Sequence, residues 1–424
     1  MSNFLYGIDF GTTNSALSIY NEDSKEIVET IIVPSLLYFF SDQSSSAPLN
    51  YVVGKEAIAA YVNDGMHGRF MKSVKRILPR SSFIETRVFN KKLTASDLVT
   101  LILKELKQRA DAITGVDCPK AVIGRPVFFD DDNAAKDTLA QKRLNQAALN
   151  AGFTEVRFQF EPIGAAFAYE RTLKHKEKVL VADLGGGTTD FTFLSLDPER
   201  VGEKERQKDI IATGGIYIGG DSFDSSFMWE KGTPYFGKHT LYEAAPGKML
   251  NVPVSLFANI CSWEQMNFFN GQKIKNDLEN YYHYSKKDRQ FKNLLTLTEN
   301  NLGYSVFQAI ERSKLELSNQ PETKFQYSRM GIEIDEQVSK MQYEEIIQKD
   351  LNKISRYLDE FLLSNNILLT EIDSLFLTGG TSMVSAVKDL FNNKFPNKPI
   401  HSGDNFISVA KGLAYSGYLF ENNN

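Results

Sequence analysis

Two copies of one short pattern limit what this chain can fold into more than any other feature of it. In the second copy, Lys178-Val179-Leu180-Val181-Ala182 leads into Asp183-Leu184-Gly185-Gly186-Gly187-Thr188-Thr189-Asp190, and Phe191-Thr192-Phe193-Leu194-Ser195-Leu196 follows. Apolar and β-branched residues dominate both flanks and turn residues bound them, so the stretch predicts a hairpin with a glycine tip. In the first copy, Phe4-Leu5-Tyr6-Gly7-Ile8 leads into Asp9-Phe10-Gly11-Thr12-Thr13-Asn14, and Ala16-Leu17-Ser18-Ile19-Tyr20 follows. The shared pattern is strand, Asp-x-Gly-Thr-Thr, strand, with two extra glycines in the second copy. Glycine accepts positive φ and lets the backbone approach a ligand closely. Successive amides of such a turn form a concave nest for phosphate oxygens. Asp183 and Asp190 would repel phosphate directly, so their presence implies a bridging cation, by ligand chemistry Mg2+. A single glycine run also suits an ordinary hairpin turn. Two hairpins of one design instead suggest two half-domains facing one polyphosphate, with an aspartate from each near the metal.

The 424 residues allow two or three compact units with ample core. A net charge of −5 argues against non-specific nucleic-acid binding. Cys118 and Cys261 have no partner spacing and the five histidines are scattered, so neither a zinc site nor a disulfide framework is expected. No stretch approaches the roughly 18 apolar residues of a membrane span, and the N-terminus lacks the charged and apolar regions of a leader. A monomer in a reducing, cytoplasmic compartment is the expectation, without nucleic-acid or membrane partners.

Along the chain, Glu26 to Val33 predicts a strand broken by Pro34-Ser35, and Ser41 to Asn50 a loop. Lys72, Lys75 and Arg76 cluster in one short segment. They fit a solvated helical turn, or a lysine turned inward to a phosphate. Thr94 to Asp97 opens a helix with a capping box, continued by the stripe Leu98, Leu101, Ile102, Leu106 and Ala110. Lys120 to Gly124 is a buried strand closed by Arg125-Pro126. Ala134 to Ala151 is a helix stopped by Gly152. Glu155 to Phe160 is a strand, and Glu161-Pro162 starts a helix of small residues. Glu161 fits either a carboxylate favoured by the helix dipole or a catalytic group. Residues 198–209 suggest a loop. Gly214-Gly215 and Gly219-Gly220-Asp221 bracket Ile216 to Ile218 and fit plain turns, or amides offered to an anion before the helix Phe223 to Trp229. Residues 230–300 have no clear period. The aromatic and basic run Tyr281 to Arg289 suggests a solvated face, because Asp277, Glu279 and Asp288 offset its charge. Phe307 to Ser318 is a helix with Glu311, Lys314 and Ser318 on one face, by spacing an exposed ion-paired face. Tyr343 to Leu363 is amphipathic. Ile372 to Thr378 is a strand leading into Gly379-Gly380-Thr381-Ser382. Val384 to Phe391 and Ser408 to Phe420 are helices.

In this order the motifs resemble the actin–hexokinase–heat-shock ATPase superfamily. More closely they resemble the nucleotide-binding domain of DnaK-type heat-shock chaperones, and among these the short YegD-like branch. The resemblance runs over nearly the whole chain. It implies an α/β, two-lobed actin-like ATPase fold with duplicated ribonuclease-H-like domains and a cleft between the lobes. Residues 1–176 would form lobe I, with a small insertion at about 37–94. Residues 177–424 would form lobe II, with an insertion at about 221–309 and a final helix, 405–420, packing back toward lobe I. ATP or ADP with Mg2+, and K+ as a further cation, are the implied cofactors. The resemblance gives Asp9, Asp183 and Asp190 to the metal, and Lys75, Glu161, Asp183 and Thr188 to slow ATP hydrolysis. Gly11, Thr12, Thr13 and Asn14 with Gly185, Gly186 and Gly187 would cradle the phosphates. Gly219, Gly220 and Asp221 match a further family signature. Glu311 and Lys314 would meet the ribose and Ser318 the adenine, with Gly379, Gly380, Thr381, Met383 and Asp404 in the adenosine loop.

Departures accompany the resemblance. Met383 stands where the family carries an arginine that stacks on adenine, so the cation is missing there. Pro126 matches a switch proline whose arginine partner has only Lys142 and Arg143 as candidates. About twenty residues follow Asp404, the last of these positions, too few for a peptide-binding domain, so a nucleotide-switched chaperone-like protein with an unknown client is expected. A nucleotide-dependent interaction module, a small-molecule kinase of sugar type and an actin-like polymer are the competing readings.

Overall fold

The structure, a computed structural model, describes residues 3–41, 48–64, 67–130, 133–201, 203, 207–262, 265–266, 269, 271–402 and 407–420. It divides into two compact units. The first comprises Met1–Gly220, Ile354–Met383 and Val387–Asn424, and the second Asp221–Lys353 and Val384–Ala386.

The first unit repeats one plan twice. Strands β1 (Phe4–Asp9), β2 (Asn14–Asn21), β3 (Glu26–Pro34), β4 (Lys120–Arg125) and β5 (Glu155–Phe160) form a sheet in the order β5-β4-β1-β2-β3. The first three are an antiparallel meander, and β4 and β5 continue the sheet in parallel. Helices α1 (Ala95–Thr114), α2 (Ala134–Asn150) and α3 (Glu161–Glu170) follow β3, β4 and β5. The second sheet has β6 (Glu177–Leu184), β7 (Thr189–Leu196), β8 (Ile210–Ile216), β9 (Ser374–Thr378) and β10 (Ile400–Ser402), in the order β8-β7-β6-β9-β10 with the same directions. Helices α4 (Lys340–Ser364, of this unit from Ile354), α5 (Ser385–Lys394, of this unit from Val387) and α6 (Ser408–Ala414) follow β8, β9 and β10. The sequence β-β-β-α-β-α-β-α thus occurs twice, which is the duplicated α/β architecture of the actin-like ATPases. Each copy opens at the same place to admit an insertion, between its third strand and its first helix.

Alternation along β1 sorts its side chains. Tyr6 and Ile8 point to one core with Leu98, Ile102 and Leu106 from α1, Leu144 from α2 and Phe153 from the connection after it. Leu5 points to another, shared with Val179, Val181, Leu194, Phe376, Ala165 and Leu413, so α3 and α6 lie between the two sheets. Small residues make that layer thin. A Cβ on Gly412 would lie 1.6 Å from Gly164 O, and one on Gly7 would lie 2.2 Å from Ala414 N.

Local signals place the helices. Thr94 and Asp97 form the expected capping box on α1, and Asn133 caps α2 by accepting the Ala135 amide at 3.0 Å. Pro162 occupies the first turn of α3. Some expectations give way. Gly214 and Gly215 lie inside strand β8 and not in a turn. Residues 198–209 contain two short 3-10 turns, Pro198–Arg200 and Gln207–Asp209. The helix expected from Ser408 to Phe420 stops at Ala414 and continues as a 3-10 segment, Tyr415–Phe420, with a kink at Ser416.

The second unit holds the region without a sequence period. It contains the helices Gln272–Tyr284, Arg289–Glu299 and Gly303–Leu317 and the hairpin Leu241–Ala245 with Lys248–Asn251. A longer hairpin, Glu322–Arg329 with Ile332–Ser339, buries Phe325, Tyr327, Ile332, Ile334 and Val338 together with Thr323, and exposes Glu322, Lys324, Gln326, Ser328, Glu333, Asp335 and Gln337. Among the described residues no helix is long and apolar enough to cross a membrane.

Candidate functional site

The two sequence motifs are the tips of the β1–β2 and β6–β7 hairpins, and strand register aligns them. Asp183 stands opposite Asp190, and Asp9 stands opposite Ala16, with the same number of residues between. Gly185 therefore matches Gly11, Gly186 and Gly187 match Thr12 and Thr13, and Thr188 matches Asn14. The second loop carries no extra glycines, contrary to the sequence alignment. It carries glycines where the first has threonines.

Each tip is held from its own side. At the first, Ser35 Oγ donates to Gly11 O and the Ser35 amide to Thr13 O, both at 2.8 Å, while Ser15 Oγ lies 2.8 Å from Ser35 Oγ. At the second, the Gly220 amide and Thr381 Oγ1 donate to Gly185 O at 3.1 and 2.8 Å. Gly219 presses on the same tip, where a Cβ would lie 2.6 Å from Gly185 O. Gly379, at φ 80°, leaves no room either, with Leu184 O 2.3 Å from a Cβ. The tips also meet. A Cβ on Gly187 would lie 3.4 Å from Thr12 Oγ1 and 3.1 Å from Arg76 Nε.

Lys75 sits in a four-residue 3-10 turn, Val74–Ile77, entered through Ser73 at φ 58°. Val74 and Leu78 bury the turn in the first sheet's core. Its Nζ donates to Glu161 Oε1 at 2.7 Å. Glu161 is the first residue of α3, and Gly124 on β4 makes space for it, since a Cβ there would lie 2.9 Å from Glu161 Cγ. Burial works against the Lys75 ammonium, but Glu161, Asp9 and Asp190 together hold its pKa above the ordinary lysine value. The aspartates are shifted the other way. Burial, then Glu161 and Asp183, push Asp9 well above the carboxylate range against the pull of Lys75. Burial, then Glu161 and Asp190, push Asp183 up to about 8. Burial and Glu161 push Asp190 up to about 7, opposed by Thr188, Lys75 and the Val127 amide. Thr188 Oγ1 donates to Asp190 Oδ2 at 2.9 Å.

In the second unit, Lys314 Nζ lies 2.7 Å from Asp224 Oδ1, and Ser318 Oγ donates to Lys314 O at 3.0 Å. Burial opposes the Lys314 charge, but Asp224, Glu311 and Asp221 raise its pKa. The face is therefore a partly buried ion pair and not the exposed one that spacing predicts. In the first unit, Met383 ends the short turn Gly380–Met383 and is 42% exposed. Asp404 lies outside the described residues.

The family model described as Hsp70 protein matches residues 5–230 and 267–423. The chain belongs to the Hsp70 family. One curated relative, the chaperone protein DnaK of Thermosipho africanus (strain TCF52B), is 32% identical over 233 residues, which is 53% of this chain and 35% of that protein. The aligned part is thus about a third of the DnaK protein's own length.

Several residues of this Hsp70 chain around the tips were not legible in sequence. Ser35 follows a strand-ending proline and shows its role only once β3 lies beside β2. The Val127 amide reaches Asp190 because the loop after Pro126 is held by the Arg125–Asp137 pair, with contacts of 2.7 and 2.8 Å. Arg143 corrects an expectation. It does not partner Pro126, whose carbonyl takes Arg125 Nε at 3.1 Å. Its guanidinium instead donates to Leu78 O at 2.9 Å and Phe83 O at 2.7 Å, in the segment that carries Lys75.

Proposed function

We propose that this Hsp70 chain binds ATP with Mg2+ and hydrolyses it slowly to ADP and phosphate, and that the two nucleotide states switch its surface toward a client protein. The observation that carries this reading is the meeting of two equal hairpin tips, Thr12 against Gly187, beside the buried Lys75–Glu161 pair. Backbone amides of residues 11–14 and 185–188 would line both sides of a polyphosphate, with Thr12, Thr13 and Thr188 adding hydroxyls. Lys75 would hold the terminal phosphate as a fixed charge, and Glu161 would orient a water toward it. The water oxygen then bonds to the terminal phosphorus as the phosphoanhydride bond breaks. Its proton leaves toward Glu161, and ADP keeps the bridging oxygen. Catalysis of this kind is positioning and charge neutralisation.

The donor set fits Mg2+. Asp9, Asp183 and Asp190 offer only hard oxygen ligands, and among the described residues no three such side chains form a cage by themselves. That suits an ion that keeps most of its water and is held through it. When bound, it would neutralise charge on the phosphates. Glu311, Lys314 and Ser318 are assigned to the nucleoside by family resemblance, and K+ remains a second cation to be tried.

The test is a nucleotide titration followed by single-turnover hydrolysis with and without Mg2+. Binding and slow ADP formation independent of any acceptor are expected. ADP formed only when a sugar is added would overturn the reading in favour of a kinase.

A further inference from the structure

Helix α2 reaches the hairpin site at two points, one in its first turn and one at its middle. Near its start, Asp137 accepts two contacts from Arg125 Nη2, at 2.7 and 2.8 Å, and the Phe129 amide at 2.7 Å. The loop held this way supplies the Val127 amide to Asp190. Further along, Arg143 spreads its guanidinium over four carbonyls. Nη1 donates to Ile77, Leu78 and Arg80 at 3.3, 2.9 and 3.0 Å, and Nη2 donates to Phe83 at 2.7 Å. Ser96 Oγ of α1 donates to Arg143 O at 3.0 Å and fixes the helix beneath it.

Four residues of 3-10 helix have little rigidity of their own. Val74 and Leu78 anchor the Lys75 turn in the core at its two ends. Two apolar anchors set the depth of a turn but allow rotation about the line that joins them, and rotation would swing Lys75 Nζ away from Glu161. A planar guanidinium bound to the carbonyl side removes that freedom, and a cation there also complements the carbonyl end of the turn.

We propose that Arg143 is a positioning residue for Lys75, which locks the turn to α2 so that the ammonium meets Glu161 in one orientation. This rests on the ATPase reading given above. Lysine cannot replace it fully, because one ammonium cannot serve four carbonyls spread over seven residues of chain.

The experiment pairs Arg143→Met and Arg143→Lys with Lys75→Ala in the full chain. In Arg143→Met, single-turnover hydrolysis should fall about ten- to a hundredfold, with the ADP dissociation constant changed by less than about threefold. Arg143→Lys should lie between it and the parent. The double variant Lys75→Ala/Arg143→Met should be no slower than Lys75→Ala alone, because the arginine acts through the lysine. Amide exchange over residues 74–83 should speed up in Arg143→Met without change in β6 and β7. Equal losses of rate and affinity, additive losses in the double variant, or unaltered exchange at 74–83 would each overturn the proposal. If the parent protein hydrolyses no ATP, the function proposed above fails, and exchange at 74–83 alone then decides the clamp. If Arg143→Met does not fold, Arg143→Lys carries the same comparisons.

Discussion

Lys75 Nζ and Glu161 Oε1 are 2.7 Å apart, with side chains only 11% and 7% exposed. Two elements distant in sequence, a 3-10 turn and the first residue of α3, are needed to make that pair. A charge held this way would be preorganised for the phosphate of the proposed reaction. Lys75→Ala should lower the single-turnover rate of ATP hydrolysis about a hundredfold or more while nucleotide still binds. Lys75→Arg should not restore it, since a planar fork cannot take the place of a compact ammonium against Glu161. Unchanged hydrolysis in Lys75→Ala would remove the lysine from the mechanism.

The layer between the sheets makes a separate prediction. Gly412 has Gly164 O at 1.6 Å from the position of a Cβ, and backbone cannot step aside as a flexible side chain can. Gly412→Ala should cost about 3 kcal/mol or more in urea unfolding, at the upper end for overpacked sites. At Gly417 a Cβ would meet, among the described residues, only Leu5 Cδ2, at 3.1 Å, so Gly417→Ala should cost clearly less. Because α3 carries Glu161 at its start, Gly412→Ala should also slow hydrolysis. Equal unfolding midpoints for the two variants would contradict the packing account.

What was legible in the sequence divides along physical lines. The hairpins were legible because two strands and a glycine tip are local, and α1 because Thr94, Asp97 and its apolar stripe are local too. Strand β8 was hidden because Gly214 and Gly215 look like a turn. Their meaning depends on distant neighbours, since a Cβ on Gly214 would meet Tyr357 Oη at 2.8 Å and one on Gly215 would meet Asp190 Oδ1 at 2.4 Å. Glu161 was ambiguous for the same reason. A carboxylate at a helix start looks alike whether it serves the dipole or a lysine, and only the approach of Lys75 distinguishes them. Arg143 was visible as a residue, but its four carbonyl partners lie sixty or more positions away.

Alkaline pH should expose a second buried network, around α1. Lys107 is 4% exposed and donates to Asp111 at 2.6 Å and to Asp117. Burial opposes its charge, but the two aspartates raise its pKa above the ordinary value. Tyr6 donates to Asp111 Oδ1 at 2.9 Å, and burial raises its pKa strongly. Both groups therefore keep protons in the folded chain that the unfolded chain releases near pH ~10. The stability they contribute is fully present below those unfolded values and is lost as pH rises through and above them. Urea midpoints should fall steadily above pH ~10, and Tyr6→Phe should flatten that fall while lowering stability at neutral pH. A fall as steep in Tyr6→Phe as in the parent would show that the tyrosine proton is not linked to folding.

The twin hairpins differ where it matters most, because Asp190 has Ala16 as its counterpart. If both Asp9 and Asp183 serve one Mg2+ through water, Asp9→Asn and Asp183→Asn should each reduce Mg2+-dependent hydrolysis about ten- to a hundredfold. A silent substitution at either position would break the paired account. The symmetric backbone also invites the reverse change. Ala16 is 1% exposed, so Ala16→Asp would bury a carboxylate opposite Asp9, with Lys75 already engaged by Glu161. It should cost about 2 kcal/mol or more, read as a lower urea midpoint. Excess Mg2+ should recover part of that loss if the new carboxylate joins the same ion, and none of it if the first tip does not face the metal.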